Sequence, residues 1–167
     1  MLPKLFITDI DGVWTDGGMY YTAEGDCMKK FSVKDGWGVA FLRHYGIPVG
    51  IMNGENTQIV AKRAQKLGID RCYLGVKNKL ALAEEVCAEL GITLDEVAFI
   101  GDDVNDLPLL KAVGCSGCPA NSAGYIKSQV NHVGMVHGGF GAFREFVETI
   151  LSESNLLMEA VTACADK

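Results

Sequence analysis

Short apolar runs alternate with longer amphipathic stretches along this chain, and that rhythm restricts its fold more than any other feature. "KLFIT" (4–8), "IPVGIM" (47–52), "RCYL" (71–74) and "EVAFI" (96–100) are brief and bounded by turn formers or helical patterns. Apolar runs of this length predict strands buried on both faces. Between them lie "GWGVAFLRHYG", "NTQIVAKRAQKLG" and "NKLALAEEVCAELG". Ile59, Val60, Ala64 and Leu67 share a helical face in the second, and Leu80, Leu82, Val86 and Leu90 do so in the third. Gly46, Gly68 and Gly91 stand where helices end. Strand and helix repeating with short links predict an α/β fold, a doubly wound parallel sheet with helices on both faces.

At 167 residues the chain suits one domain with a real core. Its expected extent is 1–152, with residues 153–167 as a loosely helical tail. One segment breaks the rhythm. Residues 13–33 place turn formers around "MYY" and "CMKKF", which predicts a β-hairpin inserted directly after the first strand. A net charge of −6 argues against a nucleic-acid partner. No apolar run is long enough to cross a bilayer, and Met1-Leu2-Pro3-Lys4 leads into the first strand without a signal-peptide pattern, so a cytoplasmic location is expected. The six cysteines lack framework spacing and are expected to be reduced. Cys115 and Cys118 form a CxxC, but no second pair or spaced histidines accompany it, which favours packing over zinc or redox chemistry. His44, His132 and His137 are isolated, so surface positions are expected.

In open parallel sheets, ligands bind beyond the carboxyl ends of the strands. Asp9 and Asp11 follow the first strand here, and Asn53, Gly54 and Glu55 the second. Lys79 opens the helix after the third, and "GDDVND" follows the fourth, with Asp102, Asp103, Asn105 and Asp106. One edge therefore gathers several carboxylates, an amide and a lysine. Crowded carboxylates repel unless a cation shares the site, and an all-oxygen set suits a hard ion such as Mg2+. A lysine in the same cluster suits an anionic substrate, so the set fits phosphoryl transfer. The alternatives are a solvated acidic rim or a receiver domain. The Asp9-x-Asp11 pair and the inserted hairpin fit a receiver poorly.

D-x-D-G-V after strand one, GDDxND after strand four and a lysine between them resemble the haloacid dehalogenase superfamily of phosphatases, over about 150 residues. The resemblance implies roles. Asp9 is the nucleophile that forms an aspartyl-phosphate. Asp11 is the general acid and then the base, and Gly12 permits the backbone turn between them. Lys79 holds the phosphoryl oxygens, and Asn53 stands where Ser or Thr is usual. Mg2+ is bound by Asp9, Asp102 and the Asp11 carbonyl, with Asp103, Asn105 and Asp106 orienting the site.

No gap is long enough for a cap domain. "TDIDGVWTDGG", "KDGWGV" (34–39), "KRAQKLGI" (62–69), "NKL" (78–80) and "GGFGAFRE" (138–145) resemble the capless branch acting on phosphorylated 2-keto-3-deoxy sugar acids. That branch implies a homotetramer in which the hairpins and tails of neighbouring subunits close each site; Met19, Tyr20 and Tyr21 of the hairpin suit packing against another subunit. Gly54-Glu55 and Lys66 resemble the type that acts on 2-keto-3-deoxynononate 9-phosphate, the reading preferred from sequence, whereas "KDGWG" resembles the type for 3-deoxy-D-manno-octulosonate 8-phosphate, the alternative. Gly54, Glu55, Arg63, Lys66 and Arg144 are the candidates for binding the sugar acid. Trp14 and Trp37 flank the presumed site. A further alternative is an assembly module like those fused to sialate-activating enzymes, which Asn53 favours and the intact Asp9, Asp11, Lys79 and Asp102 oppose.

Overall fold

The computed structural model describes residues 2–165. Eight strands and seven α-helices follow one another in chain order. They are β1 (Leu5–Thr8), β2 (Tyr20–Thr22), β3 (Gly25–Met28), α1 (Asp35–His44), β4 (Val49–Asn53), α2 (Gln58–Leu67), β5 (Arg71–Leu74), α3 (Lys79–Leu90), β6 (Val97–Ile100), α4 (Leu107–Ala112), β7 (Cys115–Cys118), α5 (Gly124–Lys127), β8 (His132–Val133), α6 (Ala142–Glu153) and α7 (Leu157–Ala165). Six strands form a parallel sheet in the order β5-β4-β1-β6-β7-β8, and β2 and β3 pair separately and antiparallel. The expected doubly wound sheet with an inserted hairpin is thus what the chain adopts.

The side-chain period of two sorts each strand between two cores. In β1, Phe6 faces one core while Leu5 and Ile7 face the other. β6 does the same, with Ala98 and Ile100 on the first side and Val97 and Phe99 on the second. The first core is covered by α1, α2, α6 and α7, and the second by α3, α4 and α5. Strands buried on both faces must be apolar throughout, which is why they read as unbroken runs.

The chain winds outward from β1 through β4 to β5, then crosses back to add β6 on the other flank of β1. Between β1 and β6 the winding direction reverses, leaving the crevice where such sheets bind ligands. Asp9 N donates to Ile100 O at 3.0 Å across it.

Several details differ from the sequence expectations. β7 and β8 extend the sheet beyond the four expected strands. β7 is "CSGC", with glycine and serine in place of apolar residues, and β8 is two residues long. A side chain on Gly117 would place its Cβ 2.6 Å from the Phe146 ring, so β7 stays small because α6 packs directly on it. Cys118 is buried in the second core and Cys115 packs against the first, so the CxxC straddles the sheet and cannot chelate. All six cysteines are free. The hairpin proper spans 20–28, while Val13 and Trp14 are wholly buried. Trp14 stacks on Phe143 at 5.0 Å between centroids and donates through Nε1 to Thr8 Oγ1 at 2.9 Å, which makes it a packing residue. In the stretch expected as a tail, α7 docks with Ala160 and Cys164 in the first core.

Candidate active site

Each functional side chain is delivered by the end of a strand or the start of a helix. Asp9 follows β1 on the side of the second core, where α3 and α4 begin. Asn78 caps α3 by accepting from Ala81 N at 3.1 Å, so Lys79 becomes its first helical residue and points back at the strand ends. Lys79 is almost fully buried, and its Nζ lies 2.8 Å from Asp9 Oδ1 and 2.6 Å from Asp106 Oδ1. The other oxygen of Asp106 accepts from Asp102 N at 2.9 Å and Asp103 N at 3.2 Å. Asp106 therefore spends both oxygens holding Lys79 and the turn after β6.

Carboxylate oxygens of Asp9, Asp102 and Asp106 all lie within 4.8 Å of one another. Burial, then the charges of Asp9 and Asp106, pushes the Asp102 carboxyl up to about 8. Burial raises Asp9 to about 7 despite the opposing charge of Lys79. Asp102 Oδ1 is buried and has no hydrogen-bond partner among the described residues. An orphaned carboxylate oxygen beside a second buried carboxylate fits a hard cation, and no histidine or cysteine among the described residues joins the set. With Asp106 committed elsewhere, Asp9 and Asp102 are the side chains that would hold Mg2+.

Gly12 makes this geometry possible. Its φ is +95°, and a Cβ built on it would come within 2.0 Å of Asp102 Oδ2. The glycine both turns the chain away from Asp9 and leaves room for the metal carboxylate. The first two glycines of "GGFGAFRE", Gly138 and Gly139, serve the same loop from behind. A Cβ on Gly138 would lie 1.8 Å from Gly12 O, so the motif reads as a close backbone approach that braces the Asp9–Asp16 turn.

Asp11 turns away from the three-carboxylate cluster. Its Oδ1 accepts from Lys29 Nζ at 2.7 Å and its Oδ2 from Asn53 Nδ2 at 3.2 Å. Asn53 gives its other amide hydrogen to Glu55 O at 3.1 Å. In this arrangement both Asn53 donors orient the site, and neither is free for a phosphoryl oxygen. Asp9, Asp11, Asn53, Gly54, Glu55, Asp102, Asp103 and Asn105 line one open cavity of about 180 Å³.

Three of the expected sugar-acid residues lie outside that cavity. Lys66 is exposed on the last turn of α2, in a groove with Arg43 and Asp70. Arg63 donates to Ser32 O at 3.2 Å and sits over Phe31. Arg144 pairs with Glu148 at 2.7 Å and lies over Phe41, while its backbone N donates to the buried Asp35. None of the three reaches the cavity of its own chain. Trp37 is exposed beside Phe41 and Arg144, again outside it. His44 faces Glu159 and His132 faces Glu153, away from the site. Lys29 is the residue the sequence did not reveal. It is one of two adjacent lysines in "CMKKF" just beyond β3, and of the pair Lys29 is buried while Lys30 is exposed.

A parallel sheet that reverses direction above an Asp9–Asp102–Lys79 cluster defines a haloacid dehalogenase-like hydrolase, and the model of that family matches residues 38–114. The chain is 40% identical over 148 residues to the 3-deoxy-D-manno-octulosonate 8-phosphate phosphatase of Haemophilus influenzae, covering 89% of this chain and 82% of that protein. The cobalt-bound structure of the Haemophilus influenzae phosphatase superposes with a TM-score of 0.89 at 39% identity, covering 93% of this chain and 91% of that one. The phosphatase of Moraxella catarrhalis, solved with magnesium ion, phosphate ion and KDO, gives 0.91 at 34% identity, covering 96% and 92%. The chain belongs to this family of sugar-acid phosphatases within the haloacid dehalogenase-like hydrolases.

The raised carboxyls give a pH signature. Asp35 (about 6), Asp9 (about 7) and Asp102 (about 8) all titrate above the ordinary aspartate value of 3.8. The folded protein therefore binds more protons than the unfolded chain, and these groups lose stability as pH rises from about 4 to about 8. Denaturant unfolding in EDTA should show that decline. Mg2+ should flatten the share due to Asp9 and Asp102 and bind more tightly as pH rises. Metal-free stability that climbs between pH 5 and 8 would refute these assignments.

Proposed function

We propose that the chain is a Mg2+-dependent phosphatase that releases inorganic phosphate from 3-deoxy-D-manno-octulosonate 8-phosphate. The observation that carries the reaction class is the buried Asp9–Lys79–Asp106 pairing beside the orphaned Asp102 oxygen. The named relatives support the eight-carbon acid, the alternative of the two sugar readings, over the nine-carbon acid preferred from sequence.

The residues divide the work. Asp9 supplies the carboxylate oxygen that bonds to phosphorus as the bond to the sugar oxygen breaks. Asp11 gives that oxygen its proton. It then takes a proton from the water that attacks phosphorus and returns Asp9 to a free carboxylate. Lys79 offsets negative charge on Asp9 and on the transferring group. Asp9 and Asp102 would hold Mg2+, which would supply charge neutralisation to the phosphoryl group. Asp106 fixes Lys79, and Asp103 and Asn105 line the rim.

A site this open needs a wall. The hairpin exposes Met19 (58%) and Tyr21 (61%), large apolar side chains that suit contact with a second copy. We read the assembly as a homotetramer whose neighbours close each cavity and bring Lys66 or Arg144 to the sugar acid. The location is cytoplasmic; no helix among the described residues is long and apolar enough to cross a membrane.

Phosphate release from the eight- and nine-carbon phosphates under Mg2+ tests the substrate. A higher kcat/KM for the eight-carbon compound is expected. Preference for the nine-carbon compound, lost in Glu55→Ala, would restore the reading based on Glu55, which stands exposed at the cavity rim. No release from either would favour the assembly module, with which the committed Asn53 donors agree.

A further inference from the structure

We propose that Lys29, delivered by the hairpin, is a positioning residue for the acid–base carboxylate Asp11. The inference rests on the phosphatase reading above. Lys29 follows β3 directly, and its side chain is 2% exposed. Its Nζ lies 2.7 Å from Asp11 Oδ1 and 3.1 Å from Asp26 Oδ2. Asp26 Oδ1 has no hydrogen-bond partner among the described residues, so that carboxylate serves Lys29 alone. Asp11 is thus gripped at both oxygens, one by the hairpin and one by Asn53 at the end of β4. Its side chain remains 29% exposed toward the cavity.

An ammonium group taken out of water is unfavourable unless paired, and two carboxylates pair this one. Burial acts to lower the Lys29 pKa, but hydrogen bonds and charge from Asp11 and Asp26 outweigh it and hold the amine above its ordinary value. With a carboxylate on each side at 2.7 and 3.1 Å, Lys29 acts as a fixed, paired charge. It sets where the Asp11 carboxylate points while Asp11 moves the proton.

The hairpin does not pair with the main sheet. Its foot is tied to the loop after β1 by Lys29 on Asp11 and by Lys30, which pairs with Asp16 at 2.9 Å and sits over the Phe140 ring. The segment that would meet a neighbouring subunit thereby touches the proton-transfer group through one side chain.

A double-mutant cycle tests this. Lys29→Met should lower kcat on the sugar-acid phosphate by about 10- to 100-fold, part of the 10²–10⁴ that acid–base catalysis supplies, with KM and the Mg2+ half-saturation within about threefold of wild type. The loss should be smaller on p-nitrophenyl phosphate, whose leaving group needs little protonation. In an Asp11→Asn background the same substitution should have no further effect. Should Lys29→Met fail to fold, Lys29→Gln reads the same cycle. An active wild type whose kcat is unmoved by the change, or a full loss that persists without Asp11, overturns the inference alone. A wild type that releases phosphate from neither compound overturns the phosphatase reading itself.

Discussion

Asp9→Asn is expected to lower Mg2+-dependent phosphate release by about 10⁴-fold or more, the order of loss when a covalent catalyst loses its nucleophile. The fold should survive. Asn is nearly isosteric, and Lys79 keeps Asp106 at 2.6 Å. The substitution also removes one of three carboxylates whose oxygens lie within 4.8 Å of one another. Asp9 titrates near 7 in the fold against 3.8 ordinarily, so the metal-free protein loses stability between those pH values and carries the whole deficit above 7. At pH 8 in EDTA the Asn variant should be at least as stable as wild type. Function and stability would then separate at this residue, as expected where a site stores electrostatic strain. Paired kinetic and denaturation measurements check both halves. Residual activity within tenfold of wild type would remove Asp9 from its role.

Lys79→Met, on the other side of the same ion pair, should fail in both respects. Activity should vanish because the ammonium that offsets charge on Asp9 and on the transferring group is gone, and the metal alone does not replace it. Stability should fall too, because Asp9 and Asp106 are buried and would lose their shared cation. Breaking a buried pair from one side costs about 3–5 kcal/mol, a large part of the 5–15 kcal/mol that holds a domain together. Asp106 would also loosen its hold on the amides of Asp102 and Asp103, so the turn after β6 should lose order first. A denaturation midpoint equal to that of wild type would show that Lys79 does not carry the pair.

The contrast between these variants shows what was legible in the sequence. Asp9, Lys79 and Asp102 could be placed on one edge because parallel sheets put every strand's carboxyl end on the same side, and the four short apolar runs located those ends. The same logic could not find Lys29. Its role depends on how a hairpin outside the sheet folds back, which no periodicity records. β7 and β8 could not be delimited for a different reason: "CSGC" is kept small by α6, and a two-residue strand has no pattern to read. The substrate candidates Arg63, Lys66 and Arg144 were chosen by charge and motif. Helix geometry then carried them away from the cavity of their own chain. Glu55, next to a strand end, was carried to its rim.

The account depends most on a cation seated between Asp9 and Asp102. Crystals soaked in Mn2+ and phosphate, with anomalous data collected on the manganese, measure that directly. One strong peak is expected within bonding distance of an Asp9 oxygen and of Asp102 Oδ1, with a phosphate facing Lys79. A peak elsewhere on the protein, or an Asp102 side chain turned to solvent with no ion beside it, would contradict it.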